Sequence, residues 1–239
     1  MECITSSFSP IGELVKGGAF TLPLAIGAFP FAFIFGALAL QNELSMMATF
    51  SMSFFVFAGA AQFVALGLIS LGSELWLIAL TTLVTNLRHL IYSVWLQPYT
   101  KHLSLRWKSI LSFGLVDEVF AIVSQHYTEN RNEFSHFFFL GSVLFLWCIW
   151  TVSSVAGYIV GDQFPQIYEL GLEVAMPITF ACMVVVMTQS KTSILAVFVT
   201  GIIMLITKEL PNQSGLFVAS VVGVAIGAFA EKFLKEDEK

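Results

Sequence analysis

An arginine and a histidine stand side by side within an otherwise apolar stretch that runs from Leu75 to Tyr99. An arginine at the centre of a membrane helix costs about 2.5–3.5 kcal/mol on insertion scales, so it persists where it faces a bundle interior or a wet cavity. There, Arg88 would bind a carboxylate. His89 would carry a proton, since imidazole titrates closest to neutral pH. The alternative is an arginine near the interface that extends past Trp95 to the lipid headgroups.

The polar residues of this stretch share one side of a helix. At about 100° per residue two neighbouring stripes form: Thr82, Asn86, His89 and Ser93, and Thr81, Thr85, Arg88 and Tyr92. The opposite side is aliphatic and suits lipid or apolar packing. The pattern predicts a membrane helix that presents a guanidinium, an imidazole and the amide of Asn86 to the protein interior.

Two adjacent acids, Asp117 and Glu118, interrupt a shorter apolar run over residues 110–126. One carboxylate would pair with Arg88 while the other holds a proton, because different surroundings separate the pKa values of two neighbouring acids. The alternative is an interfacial or re-entrant segment whose acids lie in water.

Glycine, proline and glutamine mark three further places where a ligand could approach the backbone. Gly59 lies in a run of small residues (58–61), which allows close approach of a ligand or of a neighbouring helix. Tight helix packing alone would explain this run, whereas a substrate site would also explain Gln62, whose amide needs a partner in mid-membrane. Pro23 and Pro177 each stand six residues after a glycine, just inside an apolar segment. We expect backbone N–H groups at such breaks to contribute to a substrate site.

Composition defines the class of protein that holds these residues. Of the 239 residues, 57% are hydrophobic and 11% are charged, against roughly 25% charged residues in soluble domains. This indicates an integral membrane protein. The net charge of −5 offers no basic face for nucleic acid. The sequence lacks a phosphate-binding glycine loop, a metal-ligand cluster and a nucleophile with its base, so we expect neither an enzyme nor a metal or organic cofactor.

Seven apolar runs are long enough to cross a bilayer, which takes roughly 20 residues as a helix. They cover residues 17–42, 44–73, 75–99, 134–161, 174–190, 192–207 and 210–230, with 110–126 as a doubtful eighth. We therefore predict an all-α, polytopic membrane helix bundle of seven to eight segments, some of them broken. Residues 1–239 would form a single transporter domain.

The distribution of charge predicts the orientation in the membrane. Residues 161–173 contain three acids and no base, whereas the C-terminal tail contains three lysines. Placing 161–173 outside puts the C-terminus in the cytoplasm. The basic loop 98–109 stays inside if 110–126 re-enters, and lies outside if 110–126 spans.

A weak internal repeat bears on whether 110–126 spans the membrane or re-enters. The matched Gly and Pro positions suggest repeat units 17–126 and 171–234, and an inverted repeat would require 110–126 to cross. In the last segment small residues recur every fourth position: Gly215, Ala219, Gly223 and Gly227. This ladder predicts a packing face against a helix of this chain or of a partner.

Four motifs in order resemble one family. They are Gly59-Ala60-Ala61-Gln62-Phe63-Val64-Ala65-Leu66-Gly67, Asn86-Leu87-Arg88-His89-Leu90-Ile91-Tyr92, Asp117-Glu118-Val119-Phe120-Ala121 and Gly171-Leu172-Glu173-Val174-Ala175-Met176-Pro177. Together the motifs resemble the AzlC family of branched-chain amino acid exporters, which includes the larger subunit of the bacterial valine exporter. The resemblance implies export through the bacterial cytoplasmic (inner) membrane, driven by the proton gradient, with a small AzlD-type membrane subunit as partner.

The residues above fit the parts of an amino acid. Arg88, or backbone N–H groups at Pro23 or Gly59, would hold the carboxylate, and Asp117 or Glu118 the ammonium. Neutral hydrogen bonds would come from Asn86 and Gln62, with Pro177 at the second predicted break. His89 or the acidic pair would carry the proton. The alternatives are a non-transporting assembly subunit and a channel for small solutes.

Overall fold

We describe a computed structural model of the chain over residues 9–129, 135–164, 184, 188, 190–208, 210 and 214–236. The chain divides into two compact units, residues 1–59 with 87–164 and residues 60–86 with 165–239. Each is described by itself. The regular elements of the described residues are helices, as predicted. Their bounds are α1 Pro10–Gln41, α2 Met46–Ser51 with a π-helical turn Met52–Val56, α3 Gly59–Ser70, α4 Leu75–Asn86, α5 Arg88–Thr100, α6 Leu105–Phe113, α7 Asp117–Glu129, α8 His136–Gln163, α9 Lys191–Thr207 and α10 Ser214–Glu236.

Three of these stretches are long and apolar enough to cross a membrane. They are Pro10–Gln41, Leu75–Thr100 and His136–Gln163, and shorter apolar helices cover Met46–Val56, Gly59–Ser70 and Lys191–Thr207. The chain is therefore a polytopic helical membrane protein. The exact number of segments and the repeat stay predictions, since most of residues 165–189 lie outside the described residues.

In the first unit, α1 and α8 pack against each other along their length through glycines. A methyl group at Gly17 would clash with the carbonyl of Phe138, and one at Gly36 with the carbonyl of Ser154. Glycines of α8 make the reciprocal contacts with α1. In lipid, where no hydrophobic force drives two helices together, such close backbone approach is what holds a pair.

A buried hydroxyl pair adds to this interface. The hydroxyl groups of Thr21 and Ser142 lie 2.6 Å apart, and both side chains are fully buried. The hydroxyl of Thr21 also lies 2.8 Å from the carbonyl of Gly17 in its own helix. Neither hydroxyl is therefore left without a partner inside the pair, which would be costly.

The order of the α1–α8 contacts shows that the two helices run parallel. Gly17 lies against Phe138, and Gly36, nineteen residues later, lies against Ser154. Two parallel membrane spans require an odd number of crossings between them. The spanning alternative for 110–126 gives an odd number if 46–70 and 75–100 each cross once.

Three stretches are interrupted near their middle, and α1 is not. The 46–70 stretch breaks at Phe57, whose φ of 42° is left-handed, the 75–100 stretch at Leu87, and the 105–129 stretch between Phe113 and Asp117. By contrast, α1 continues through Pro23, which lies on its exposed side. The predicted break at Pro23 is therefore wrong. The helix is continuous on both sides of Pro23, and its buried side packs against α8.

In the second unit, α9 and α10 form an antiparallel pair through the small-residue ladder. A methyl group at Gly215 would clash with the carbonyl of Thr207, and one at Gly223 with the hydroxyl of Thr200. Ala219, between them, is fully buried. The ladder is a packing face, as predicted, and its contacts are made within this chain.

Candidate functional site

The first turns of α5 and α7 meet in an ion pair. Nη1 of Arg88 lies 2.8 Å from Oδ2 of Asp117, and the two side chains are 17% and 29% exposed. The hydroxyl of Tyr92 donates a hydrogen bond to Oδ1 of Asp117 at 2.6 Å. Both carboxylate oxygens are thus engaged, and the predicted pairing of Arg88 with the acidic motif is present. An arginine held in this way does not extend to the headgroups.

The two helix ends differ in how well they suit their charges. Asp117 and Glu118 lie in the first turn of α7, where the helix dipole favours negative charge. Arg88 is the first residue of α5, where the dipole disfavours positive charge. Asp117 compensates for this position, so helix formation alone does not explain the arginine.

Aromatic rings hold the acid and the tyrosine in register. The ring of Tyr92 stacks on that of Phe120, with centroids 4.3 Å apart and planes 8° from parallel, and Trp95 meets Phe120 edge-on. Phe120 lies one turn after Asp117, and Tyr92 one turn after Arg88, so each ring shares the face of its charged neighbour. Sequence reasoning missed Phe120 and Trp95 as site residues. Their spacing from the charges was the available signal.

Two nitrogen atoms at this site are buried without a hydrogen-bond partner among the described residues. They are Nε of Arg88 and Nε2 of His89. A buried polar atom without a partner costs about 1–3 kcal/mol and calls for an explanation in a native structure. A ligand that accepts hydrogen bonds would satisfy Nε of Arg88, and it would also satisfy Nε2 of His89 in the tautomer that carries its proton there.

Glu118 differs from its neighbour Asp117. Its side chain is half-buried and forms no ion pair with a base among the described residues; its carboxylate accepts a hydrogen bond from its own backbone N–H. One acid of the pair is therefore neutralised by Arg88 and the other is not. Which of the two acids binds substrate and which carries a proton stays a prediction.

The exposed side of this stretch is aliphatic, as predicted. Leu90 is 63%, Ile91 71% and Val94 74% exposed. Arg88 and Tyr92, on the other side of α5, are less exposed. The helix thus has one face for lipid and one for the protein.

The second unit holds two of the other predicted residues. Gln62 in α3 is fully buried. Asn86, at the end of α4, has a buried side-chain oxygen without a partner among the described residues, as does the hydroxyl of Thr81 one turn and a residue earlier. The polar stripe of α4 is therefore unsatisfied at two points.

Three further residues were predicted to mark places where a ligand approaches the backbone. Gly59 packs against the ring of Trp150, which an added methyl group would approach to 2.6 Å, so its small size already has a packing reason. Pro23 is exposed on α1, and Pro177 lies outside the described residues. No group of three or more His, Cys, Asp or Glu side chains able to hold a metal occurs in the part of the chain that the structure describes.

Comparison with known proteins agrees with the motifs. The family described as "AzlC protein" matches residues 23–164, which include the helices of the ion pair. The chain belongs to the AzlC family. This is a family of membrane transporters, not of enzymes.

Individual AzlC relatives match much of the chain. It is 30% identical over 199 residues to the inner membrane protein YgaZ of Escherichia coli, covering 81% of each protein. It is 36% identical over 157 residues to an uncharacterized membrane protein of Archaeoglobus fulgidus, covering 65% of this chain and 66% of the relative. An uncharacterized membrane protein of Helicobacter pylori is 28% identical over 161 residues, which are 67% of this chain and 69% of the relative. No solved structure matches.

Proposed function

We propose that this AzlC protein exports branched-chain and related amino acids across the cytoplasmic membrane, as the large subunit of a two-component transporter with a small AzlD-type partner. Family membership supports the transport role, and the name of the E. coli relative supports the inner membrane. We also propose the proton gradient as the energy source, a cytoplasmic C-terminus, and one transporter domain with the repeats 17–126 and 171–234.

The observation that carries the proposal is the Arg88–Asp117 pair itself. An amino acid is a zwitterion, and this site contains the two charges complementary to it, 2.8 Å apart. Without substrate, the two side chains neutralise each other, so neither is left as an uncompensated buried charge. With substrate, the α-carboxylate takes over Arg88 and the ammonium takes over Asp117, so total charge in the site is unchanged.

Neighbouring groups fit the rest of the substrate. Nε of Arg88, buried and without a partner among the described residues, offers the second donor of a bidentate grip on a carboxylate. Tyr92 keeps Asp117 oriented while Arg88 is withdrawn. The stacked face of Tyr92 and Phe120 gives an aliphatic side chain an apolar wall.

Proton coupling falls to His89 and Glu118. Both lie beside the ion pair in sequence. Nε2 of His89 is buried without a partner among the described residues, and Glu118 forms no ion pair with a described base. Taking up one proton adds one unit of positive charge next to Arg88 and Asp117, which weakens the hold of Asp117 on the ammonium. We keep Gln62 and Asn86 as neutral ligands, and Gly59 and Pro177 as backbone ligands, as parts of this proposal.

Amino acid efflux tests the function. Cells that lack their own exporters are loaded with leucine, valine or isoleucine as dipeptides, and efflux is compared between wild type, Arg88→Leu and Asp117→Asn at equal protein levels. We expect efflux to fall to background in both. The control is Arg106→Leu, an exposed arginine outside the pair, which should export normally. Full export by both site variants would exclude the assignment.

Reconstitution separates the alternatives. Transport by the chain alone in liposomes would exclude a pure assembly role, and transport only with the small subunit would support the two-component form. Counterflow, in which an internal amino acid drives uptake of a labelled one, is expected of a carrier and not of a channel.

A further inference from the structure

A polar cavity lies toward the opposite end of α5 from the ion pair. Its volume is about 260 Å³, and α5, α6 and α8 of the first unit line it. The floor is apolar and buried: Leu96, Leu111 and Phe139 are each 2% exposed. The mouth is polar, with Gln97, Lys101 and Lys108.

The lysines are the donors left for a ligand. The ammonium group of Lys108 donates to the carbonyl of Lys101 at 3.1 Å, which ties α6 to the end of α5. An ammonium has three donors, so two remain. By contrast, the lining hydroxyl of Ser112 already donates to a carbonyl of its own helix at 2.6 Å. Thr100 does the same at 3.1 Å.

The charge around the cavity is positive without an internal counter-ion. Residues 98–116 contain Lys101, Arg106 and Lys108 and no aspartate or glutamate. None of the described residues that line the cavity is acidic. The site therefore fits an anion.

The position and the volume of the cavity limit which anion could bind there. The cavity lies at the end of the apolar stretch Leu75–Thr100, where a span of this length reaches the headgroup region. Trp95 and Tyr99 stack there, 5.6 Å apart, and aromatic rings of this kind favour the membrane interface. The volume is just below the usual range for small-molecule pockets, about 300–1,000 Å³, and suits a phosphate with its adjoining glycerol better than a whole amphiphile.

We propose that this cavity binds the phosphate group of an anionic phospholipid. Lys101 and Lys108 hold the phosphate oxygens, the amide of Gln97 donates to the headgroup, and the glycerol backbone rests on the apolar floor. Because the lipid would bridge α5 and α6, its binding would also support the helix that carries Arg88.

Lipid titration of the purified full chain tests this. Native mass spectrometry in neutral detergent gives the bound fraction as phosphatidylglycerol or phosphatidylcholine is added. We expect wild type to prefer phosphatidylglycerol and Lys101→Gln/Lys108→Gln to bind it about 25-fold more weakly, since each lysine near an anionic lipid is worth about fivefold. Lys101→Arg/Lys108→Arg, which keeps both charges, should retain binding.

The matched control is Lys16→Gln/Arg106→Gln, which removes the same charge outside the cavity and should retain most of the affinity. Equal weakening in both double variants would mean diffuse attraction and would overturn the site. Equal binding of phosphatidylcholine would overturn it too. If the chain binds inorganic phosphate but not the lipid, the ligand is a free anion and the lipid assignment is overturned. An unchanged elution profile on gel filtration confirms that each variant is folded.

Discussion

Two helix contacts in the first compact unit are built in opposite ways. The α1–α8 contact uses glycines that bring one backbone against the other, with a buried hydroxyl pair between them. The α5–α7 contact uses an arginine, an acid and stacked aromatic rings. It leaves two nitrogen atoms of α5 unsatisfied among the described residues.

The two contacts therefore suit different roles: the α1–α8 contact stabilises the fold, and the α5–α7 contact can bind a ligand. A close backbone contact at a glycine offers no charge that a ligand could take over, and it fixes two helices in one register. An ion pair can exchange either partner for a charge of the same sign on a ligand. We therefore expect stability to depend mostly on α1–α8 and substrate recognition on α5–α7.

The largest effect should follow a methyl group added between α1 and α8. Gly36→Ala directs its Cβ into the carbonyl of Ser154, and backbone cannot move aside as a side chain can. We expect a loss of about 3 kcal/mol or more in unfolding free energy, measured as thermal stability in detergent.

A matched control lies on the same helix. Gly27 has no atom within 4 Å of an added Cβ, so Gly27→Ala should cost nothing and could add up to about 1 kcal/mol through helix propensity. Equal stability of Gly36→Ala and Gly27→Ala would show that the glycine contact does not hold the pair.

Breaking the ion pair should reduce stability less than Gly36→Ala does, but it should abolish amino acid efflux. Arg88→Leu leaves Asp117 without its counter-charge, and we expect a loss of about 2–3 kcal/mol. This is below the 3–5 kcal/mol of a fully buried pair because both groups are partly exposed. Efflux should be lost.

The double variant Arg88→Leu/Asp117→Leu separates the two effects. Removing both charges should restore most of the stability without restoring efflux. Recovery of transport together with stability would mean that the pair is only structural, and the comparison between the two contacts would fail.

A smaller effect is expected from the tyrosine that orients the acid. Tyr92→Phe keeps the stack on Phe120 and removes the hydrogen bond to Asp117, which is worth about 1.5–3 kcal/mol because its acceptor is charged. We expect the KM for efflux to rise about tenfold or more while protein levels hold. Tyr99→Phe, about two turns further along α5, removes a hydroxyl outside the site and is the control. An unchanged KM in Tyr92→Phe would remove the orienting role.

The α5–α7 site could be predicted from the sequence because its residues are costly in lipid. Arg88 stands out in an apolar stretch, and an adjacent acid motif is the natural partner for it. The stripe around Arg88 also located Tyr92 correctly. The role of Phe120 was missed because it is one of 24 phenylalanines and only its spacing of one turn from Asp117 sets it apart.

The α1–α8 contact was beyond sequence reasoning for a different reason. Gly17 and Gly36 are nineteen residues apart and form no regular ladder, unlike the four-residue spacing that revealed the face of α10. A break was predicted at Gly59, and the left-handed residue lies two positions earlier, at Phe57; its position was hidden because a left-handed residue is usually glycine. Pro23, a residue that often breaks helices, does not break α1.

The direction of α1 and α8 gives the last prediction, which concerns the topology of the chain in the membrane. Single cysteines replace exposed residues at the ends of helices, Gln41, Glu129 and Phe164, in a chain whose native cysteines are changed to serine. Parallel helices place Gln41 and Phe164 on one side of the membrane and Glu129 on the other. We expect a membrane-impermeant maleimide to label Gln41→Cys and Phe164→Cys from the same side in oriented vesicles, and Glu129→Cys only from the opposite side. Labelling of Gln41→Cys and Phe164→Cys from opposite sides would require an even number of crossings between α1 and α8. It would return 110–126 to a re-entrant segment and would remove the parallel glycine contact on which the comparison depends.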